Sequence, residues 1–153
     1  KGLRFPAEKE IANMNWQHIA LGANGLVGYN FHSLERDCDP KLAPEYWRRI
    51  CRAFEPVRKM IPILLSVEPA PTVRNVPKMM PVRTWMKDDE LYVLAVNPLP
   101  ETQTAQLLLG VGKWMLCGIE VGAAEHVEVA GDRIGLTLPP IGFVMLRLRI
   151  PNS

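Results

Sequence analysis

Apolar residues recur every three or four positions in two segments of the N-terminal half. The stronger pattern spans 44–65 and predicts an amphipathic helix with apolar positions at Tyr46, Trp47, Ile50, Cys51, Phe54, Val57, Ile61, Leu64 and Leu65. A weaker pattern over 6–22 predicts another helix, because Pro6 suits a first turn and Gly22 suits a helix end. Pro62 lacks a backbone donor, so we expect a kink or a break there.

Between these helices lies a short apolar run, Leu26–Phe31, with no polar alternation until Asn30. Such a run favours a strand that is covered on both faces, as in a parallel sheet. The order of helix, glycine turn, apolar strand, polar loop and helix is that of the last repeat of a (β/α) barrel. The chemistry of a barrel lies at the C-terminal ends of its strands, and this sequence contains one such strand. The pattern therefore indicates a part of an enzyme.

The C-terminal half has a β pattern. Residues 66–81 contain four prolines and predict a semi-rigid linker. Seven strand segments follow, at Val82–Lys87, Glu90–Asn97, Gln103–Leu109, Lys113–Val121, Glu125–Val129, Arg133–Leu138 and Ile141–Ile150. In the last segment apolar residues alternate with Met145, Arg147 and Arg149, which predicts an antiparallel sheet with one face in water. We therefore predict an α+β protein with a helical segment at 1–65, a linker at 66–81 and an antiparallel β-sandwich at 82–153.

Composition narrows the classes of partner. The formal net charge of +2 is too small to indicate binding to nucleic acid or anionic lipid. No apolar run approaches the roughly 20 residues that span a bilayer. Cys38, Cys51 and Cys117 are widely spaced and form no C-x-x-C pair, so they predict free thiols rather than a zinc site. We expect no metal and no cofactor.

Candidate catalytic motifs are incomplete. The sequence has no G-x-S-x-G elbow, and Gly110-x-Gly112 lacks the third glycine of a dinucleotide loop. Asp37 and Asp39 lack the glycine of a calcium loop. A glycosidase needs two carboxyl groups roughly 5–10 Å apart, and no two acids here follow different barrel strands. We therefore assign no catalytic residue and no activity to the chain alone.

Four residues are candidates for substrate contact. Asn30, Phe31 and His32 end the apolar strand, where a barrel faces its substrate. Phe31 or His32 would stack on a sugar ring there and Asn30 would bond a hydroxyl; the alternative is a strand end packed beneath a loop. Trp85 shares a strand face with Arg83 and is either a carbohydrate platform or a cover for the preceding helix.

Several stretches together resemble the C-terminal end of retaining (β/α)8-barrel glycoside hydrolases of the β-galactosidase-like and cellulase-like superfamily. They are Trp16–Leu34, the helix from Tyr46, Leu91–Asn97 and Leu138–Leu148. The resemblance implies a final barrel strand and helix that run into a small sandwich packed on the barrel. It also implies two catalytic glutamates at the ends of the fourth and seventh strands, before Lys1, and a secreted or periplasmic location. Many relatives have Trp where this chain has Phe31 and His32.

The sequence thus predicts a C-terminal portion of a carbohydrate-active hydrolase that is accessory and not catalytic by itself. Its partners would be the missing N-terminal barrel and an oligo- or polysaccharide. The alternative is a carbohydrate-binding module, dependent on Trp85 or Trp114, or an oligomerisation module. Because Leu26–Phe31 lacks its neighbouring strands, we expect it to pair in a homodimer, join the sandwich or change conformation.

Overall fold

The structure is a computed structural model, which describes residues 4–28, 36, 39–110 and 112–151. Helix α1 (Glu8–Ala20) and helix α2 (Ala43–Leu64) precede the strands. The strands of the described residues are β1 (Val82–Lys87), β2 (Glu90–Val96), β3 (Gln103–Leu108), β4 (Met115–Gly122), β5 (His126–Ala130), β6 (Arg133–Leu138) and β7 (Phe143–Arg149). The predicted α+β fold class is confirmed.

Helix α1 begins at a network centred on Glu10. Its carboxylate accepts hydrogen bonds from the backbone N–H of Ala7 and from Nη1 of Arg4, each at 2.7 Å. The bond from Arg4 and then the bond from Ala7 lower the pKa of Glu10 to about 2. Negative charge in the first turn also opposes the positive end of the helix dipole, so Glu10 favours helix initiation here. The helix ends before Gly22, whose φ of +109° suits glycine.

Helix α2 contains two prolines within its length, Pro56 and Pro62. Each proline removes one helical hydrogen bond, but the helix continues through Pro62 to Leu64, so a break at Pro62 is excluded. Only Ala43, Ala53 and Met60 of this helix are fully buried. Much of the strong apolar pattern in 44–65 is therefore only partly covered by the described residues.

The strands form two antiparallel sheets within the described residues. The larger sheet has the order β1-β2-β7-β4 and the smaller one β3-β6-β5. Asp88 and Asp89 connect β1 to β2 with φ of +52° and +63°, the conformation of a tight hairpin turn. Gly131, with φ of +65°, lies in the connection from β5 to β6. Both hairpins that the sequence predicted are confirmed, and so is the antiparallel sandwich.

The sandwich core lies between the two sheets. It contains Met80, Leu91, Val93, Ala95, Ala105, Leu107, Leu109, Trp114, Ile134, Leu136, Leu138, Val144, Leu146 and Leu148. Val93 and Leu146 are register partners in the larger sheet, which shows how alternate residues of neighbouring strands share this inner face. Segment 66–81 is attached to the sandwich by two isolated bridges, between Glu68 and Met86 and between Arg74 and Leu108.

The outer face of the larger sheet packs against the helices. Leu94 and Val96 of β2 and Met145 of β7 point to this side and are fully buried. The prediction that this face of β7 is in water is therefore wrong for Met145, because α1 and α2 cover it. This arrangement makes the larger sheet the middle of three layers: helices, larger sheet and smaller sheet.

The predicted apolar strand Leu26–Phe31 is described only in part. Leu26, Val27 and Gly28 do not lie in a strand. Residues 29–31 lie outside the described residues, so a strand at those positions stays a prediction.

Candidate functional site

The predicted site residues are not all in the described part of the chain. Asn30, Phe31 and His32 lie outside it, so their contact with a substrate stays a prediction. Trp85 is described and is only 4% exposed, in the layer between the helices and the larger sheet. The guanidinium carbon of Arg83 lies 4.9 Å from the centroid of the Trp85 ring, so one ring face is already occupied. Trp85 therefore packs between the larger sheet and the helices. Trp114 lies in the core between the two sheets.

The interface between helices and sheet is built around Trp16 of α1. Trp16 is fully buried, and its ring stacks on Phe143 with centroids 5.6 Å apart. The buried residues of this second core are Trp16, Ile19, Ala20, Met60, Trp85, Tyr92, Leu94, Val96 and Met145. Large aromatic side chains remove much apolar surface from water, so this interface contributes substantially to stability.

Two buried asparagines join α1 to the sandwich. Nδ2 of Asn13 donates to the backbone oxygens of Asn97 and Gly142, both at 3.0 Å. Nδ2 of Asn97 lies 2.7 Å from the oxygen of Glu101 and 2.9 Å from that of Pro139, and Oδ1 of Asn97 accepts from the N–H of Leu99 at 3.0 Å. Because buried backbone carbonyls need partners, these two amide side chains hold the end of β2, the start of β7 and α1 in one arrangement.

The turn before β7 has a strained backbone. Ile141 has a φ of +50°, which is unusual for a β-branched residue. Its N–H donates to the oxygen of Leu99 at 2.8 Å. At Gly142 an added Cβ would lie 2.6 Å from the oxygen of Pro139, so only glycine fits. The turn directs the oxygen of Gly142 toward Asn13, and the N–H of Asn97 also donates to that oxygen at 2.8 Å.

A charged cluster lies on the outer face of the larger sheet. Arg147 of β7 contacts Glu90 of β2 at 3.1 Å and Glu120 of β4 at 2.8 Å. The hydroxyl of Tyr92 donates to Glu90 at 3.0 Å. Burial, and then the bond to Glu90, raise the pKa of Tyr92 to about 12, so its phenol stays protonated at neutral pH. Since one guanidinium lies between both carboxylates, the cluster links three strands and does not have the form of a glycosidase pair.

An apolar cavity of about 590 Å³ opens between the end of α1, residues 23–26, α2 and β1. This volume is in the range of roughly 300–1,000 Å³ that binding sites commonly have. The apolar walls are formed chiefly by Phe54, Ile61 and Leu64 of α2, and Trp85 of β1 also contributes. The sequence predicted the apolar pattern of α2 but gave no sign that part of it would line an open cavity.

Among the described residues that line this cavity, few carry polar side chains. They include the thiol of Cys51, the carboxylate of Glu55 and the guanidinium groups of Arg58 and Arg83. Nη2 of Arg58 pairs with Oε1 of Glu55 at 2.9 Å. Nη1 of Arg83 donates to the backbone oxygen of Ile19 at 3.0 Å. A lining of this kind suits an apolar group more than a sugar, whose hydroxyls would lose their bonds to water.

No group of three or more His, Cys, Asp or Glu side chains in the described part of the chain is arranged to hold a metal ion. None of the described helices is long and apolar enough to cross a membrane. Comparison with protein-family models, with curated proteins and with solved structures found no match to this chain.

Proposed function

We propose that this chain is the C-terminal part of a carbohydrate-active glycoside hydrolase. In this proposal α1 and α2 belong to the wall of a (β/α)8 barrel, and the sandwich is an accessory unit attached to it. The chain has a structural function and performs no hydrolysis by itself. The observation that carries the proposal is the larger sheet, which is buried on one face by the smaller sheet and on the other by the two helices.

The proposal is also supported by the side of α2 that the described residues leave partly uncovered. We call this side the α2 apolar face; it consists of Trp47, Ile50, Cys51, Phe54, Ile61 and Leu65. Trp47 is 39% exposed, Ile61 45% and Leu65 65%. Contiguous apolar surface of this kind commonly marks an interaction site, and the body of a barrel is the partner that the proposal assigns to it.

The alternative of a carbohydrate-binding module has less support. Trp85 and Trp114, on which it depended, are both buried, so neither presents a free ring face to a sugar. An oligomerisation module would use the same α2 apolar face. Light scattering tests that alternative, because an oligomerisation module requires the chain to form a stable dimer at micromolar concentration.

The proposal is tested with aryl glycosides. We expect no turnover by this chain, and turnover by the longer chain that includes the barrel. In that longer chain a Glu→Gln change at the end of the fourth or seventh barrel strand should abolish activity, whereas Glu90→Gln should leave it unchanged within about twofold. Turnover by the present chain that disappears when one of its own acids is replaced would contradict the proposal, and so would a longer chain without glycosidase activity.

A further inference from the structure

The cavity beside the α2 apolar face is lined by a guanidinium that no carboxylate of the described residues neutralises. Arg83 has no carboxylate within 4.0 Å among the described residues; it contacts the backbone oxygen of Ile19 and the ring of Trp85. The other guanidinium of the cavity, Arg58, is paired with Glu55. A guanidinium has five donors, and within the described residues Arg83 forms one hydrogen bond, to the oxygen of Ile19, so it retains donors for an anion. The cavity therefore combines apolar walls with one positive charge.

The charge on α2 decides between two possible occupants. Residues 43–64 contain five basic and two acidic side chains, a net charge of +3. Although Arg52 also pairs with Glu8 of α1, a two-fold contact between copies through this side of α2 would place two positively charged helices against each other. Like charges across an interface are unfavourable. This repulsion disfavours a second copy and favours an acidic partner.

We propose that the cavity receives an apolar segment of the barrel wall, and that a carboxylate on this segment pairs with Arg83. This inference rests on the proposed function and names the chemistry of the contact. The apolar side chains of the segment would lie against Phe54 and Ile61, and Cys51 would be covered when the segment is in place. A carboxylate and a guanidinium form paired, charge-assisted hydrogen bonds, which also fix the orientation of the segment.

The test uses the present chain with dodecanoate, a probe that combines an apolar body with a carboxylate, and with dodecanol as its neutral counterpart. Cys38→Ser and Cys117→Ser leave Cys51 as the one thiol, and its rate of reaction with a thiol reagent is measured. We expect both probes, below their aggregation concentrations, to slow the reaction saturably. Arg83→Met should lower the apparent affinity for dodecanoate at least tenfold and change that for dodecanol by no more than about twofold. The control Arg133→Met, at an exposed position, should change neither affinity.

Three results would overturn the inference. Neither probe slows the reaction of Cys51 with the thiol reagent, or Arg83→Met lowers the affinity for both probes equally, or the chain forms a stable dimer in which Cys51 already reacts slowly. The glycosidase assay of the longer chain is independent of these results. If that assay succeeds while Arg83→Met has no selective effect, the inference fails and the proposed function stands. If Arg83→Met weakens the binding of dodecanoate alone while the longer chain has no glycosidase activity, the proposed function fails. The preference of the cavity for an apolar carboxylate then still stands.

Discussion

Replacing Asn97 with alanine is expected to lower the free energy of unfolding by about 3 kcal/mol or more. Asn97 is fully buried. Its amide group bonds the oxygens of Glu101 and Pro139 and the N–H of Leu99. Each buried polar group left without a partner costs about 1–3 kcal/mol, and alanine would remove three hydrogen bonds of the buried Asn97 side chain to partly buried backbone groups. Domains of this size have total stabilities of about 5–15 kcal/mol, so the variant should be severely weakened.

The Asn97 prediction is checked by urea unfolding followed by circular dichroism. The matched control is Gln106→Ala, which removes an exposed amide side chain from β3 and should change stability by no more than about 0.5 kcal/mol. Equal unfolding midpoints for Asn97→Ala and the unmodified chain would show that the asparagine bonds contribute little.

Replacing Trp16 with alanine is expected to lower the free energy of unfolding by about 3–5 kcal/mol, as is typical for removing a large aromatic side chain from a core. Trp16 is fully buried and stacks on Phe143 at the start of β7. The cavity left behind would adjoin the middle layer of the molecule, so the sheet should lose stability together with the helices.

The control for Trp16 is Trp47→Ala, the same substitution on the same protein at a position that is 39% exposed. It should lower the free energy of unfolding by clearly less than Trp16→Ala does, because part of the Trp47 side chain is already in water. Thermal unfolding measured by calorimetry compares the two variants. A Trp16→Ala protein as stable as Trp47→Ala would mean that the interface between helices and sheet is weak.

Local patterns predicted most of the secondary structure. Periods of three to four residues located α1 and α2, and turn residues such as Asp88 and Gly131 located the hairpins. The bounds shifted by a few residues because helix ends depend on contacts such as that of Glu10 with Arg4. Of the two outcomes predicted at Pro62, a kink or a break, the break is excluded: α2 continues to Leu64, because the loss of one hydrogen bond does not end a helix whose neighbouring turns are favourable.

The layer order was not predictable from alternation alone. The arginines of β7 indicated a face in water, yet the same face carries the buried Met145, because the helices cover only part of the sheet. Elsewhere on the same face, Arg147 forms ion pairs with Glu90 of β2 and Glu120 of β4. Which element covers a sheet face is a long-range property, and a period-two pattern does not report it.

The asparagine pair was also missed. Asn13 lies within the helical pattern, and Asn97 ends a strand, a position where sequence alone suggests a turn residue. The Pro139–Gly142 turn offered a signal, since only glycine fits at Gly142, but its partner on α1 is distant in sequence. The predicted contacts of Asn30, Phe31 and His32 with a sugar remain predictions.

The larger sheet is a shared layer that unites the helices and the sandwich. Native-state hydrogen exchange tests this most directly. We expect the amides of Trp16 and Ile19 in α1 to exchange with an opening free energy within about 1 kcal/mol of those of Val93 and Leu146 in the sheet, because all four belong to one cooperative unit. Exchange of the α1 amides through an opening several kcal/mol less costly, with the sheet still protected, would contradict the account.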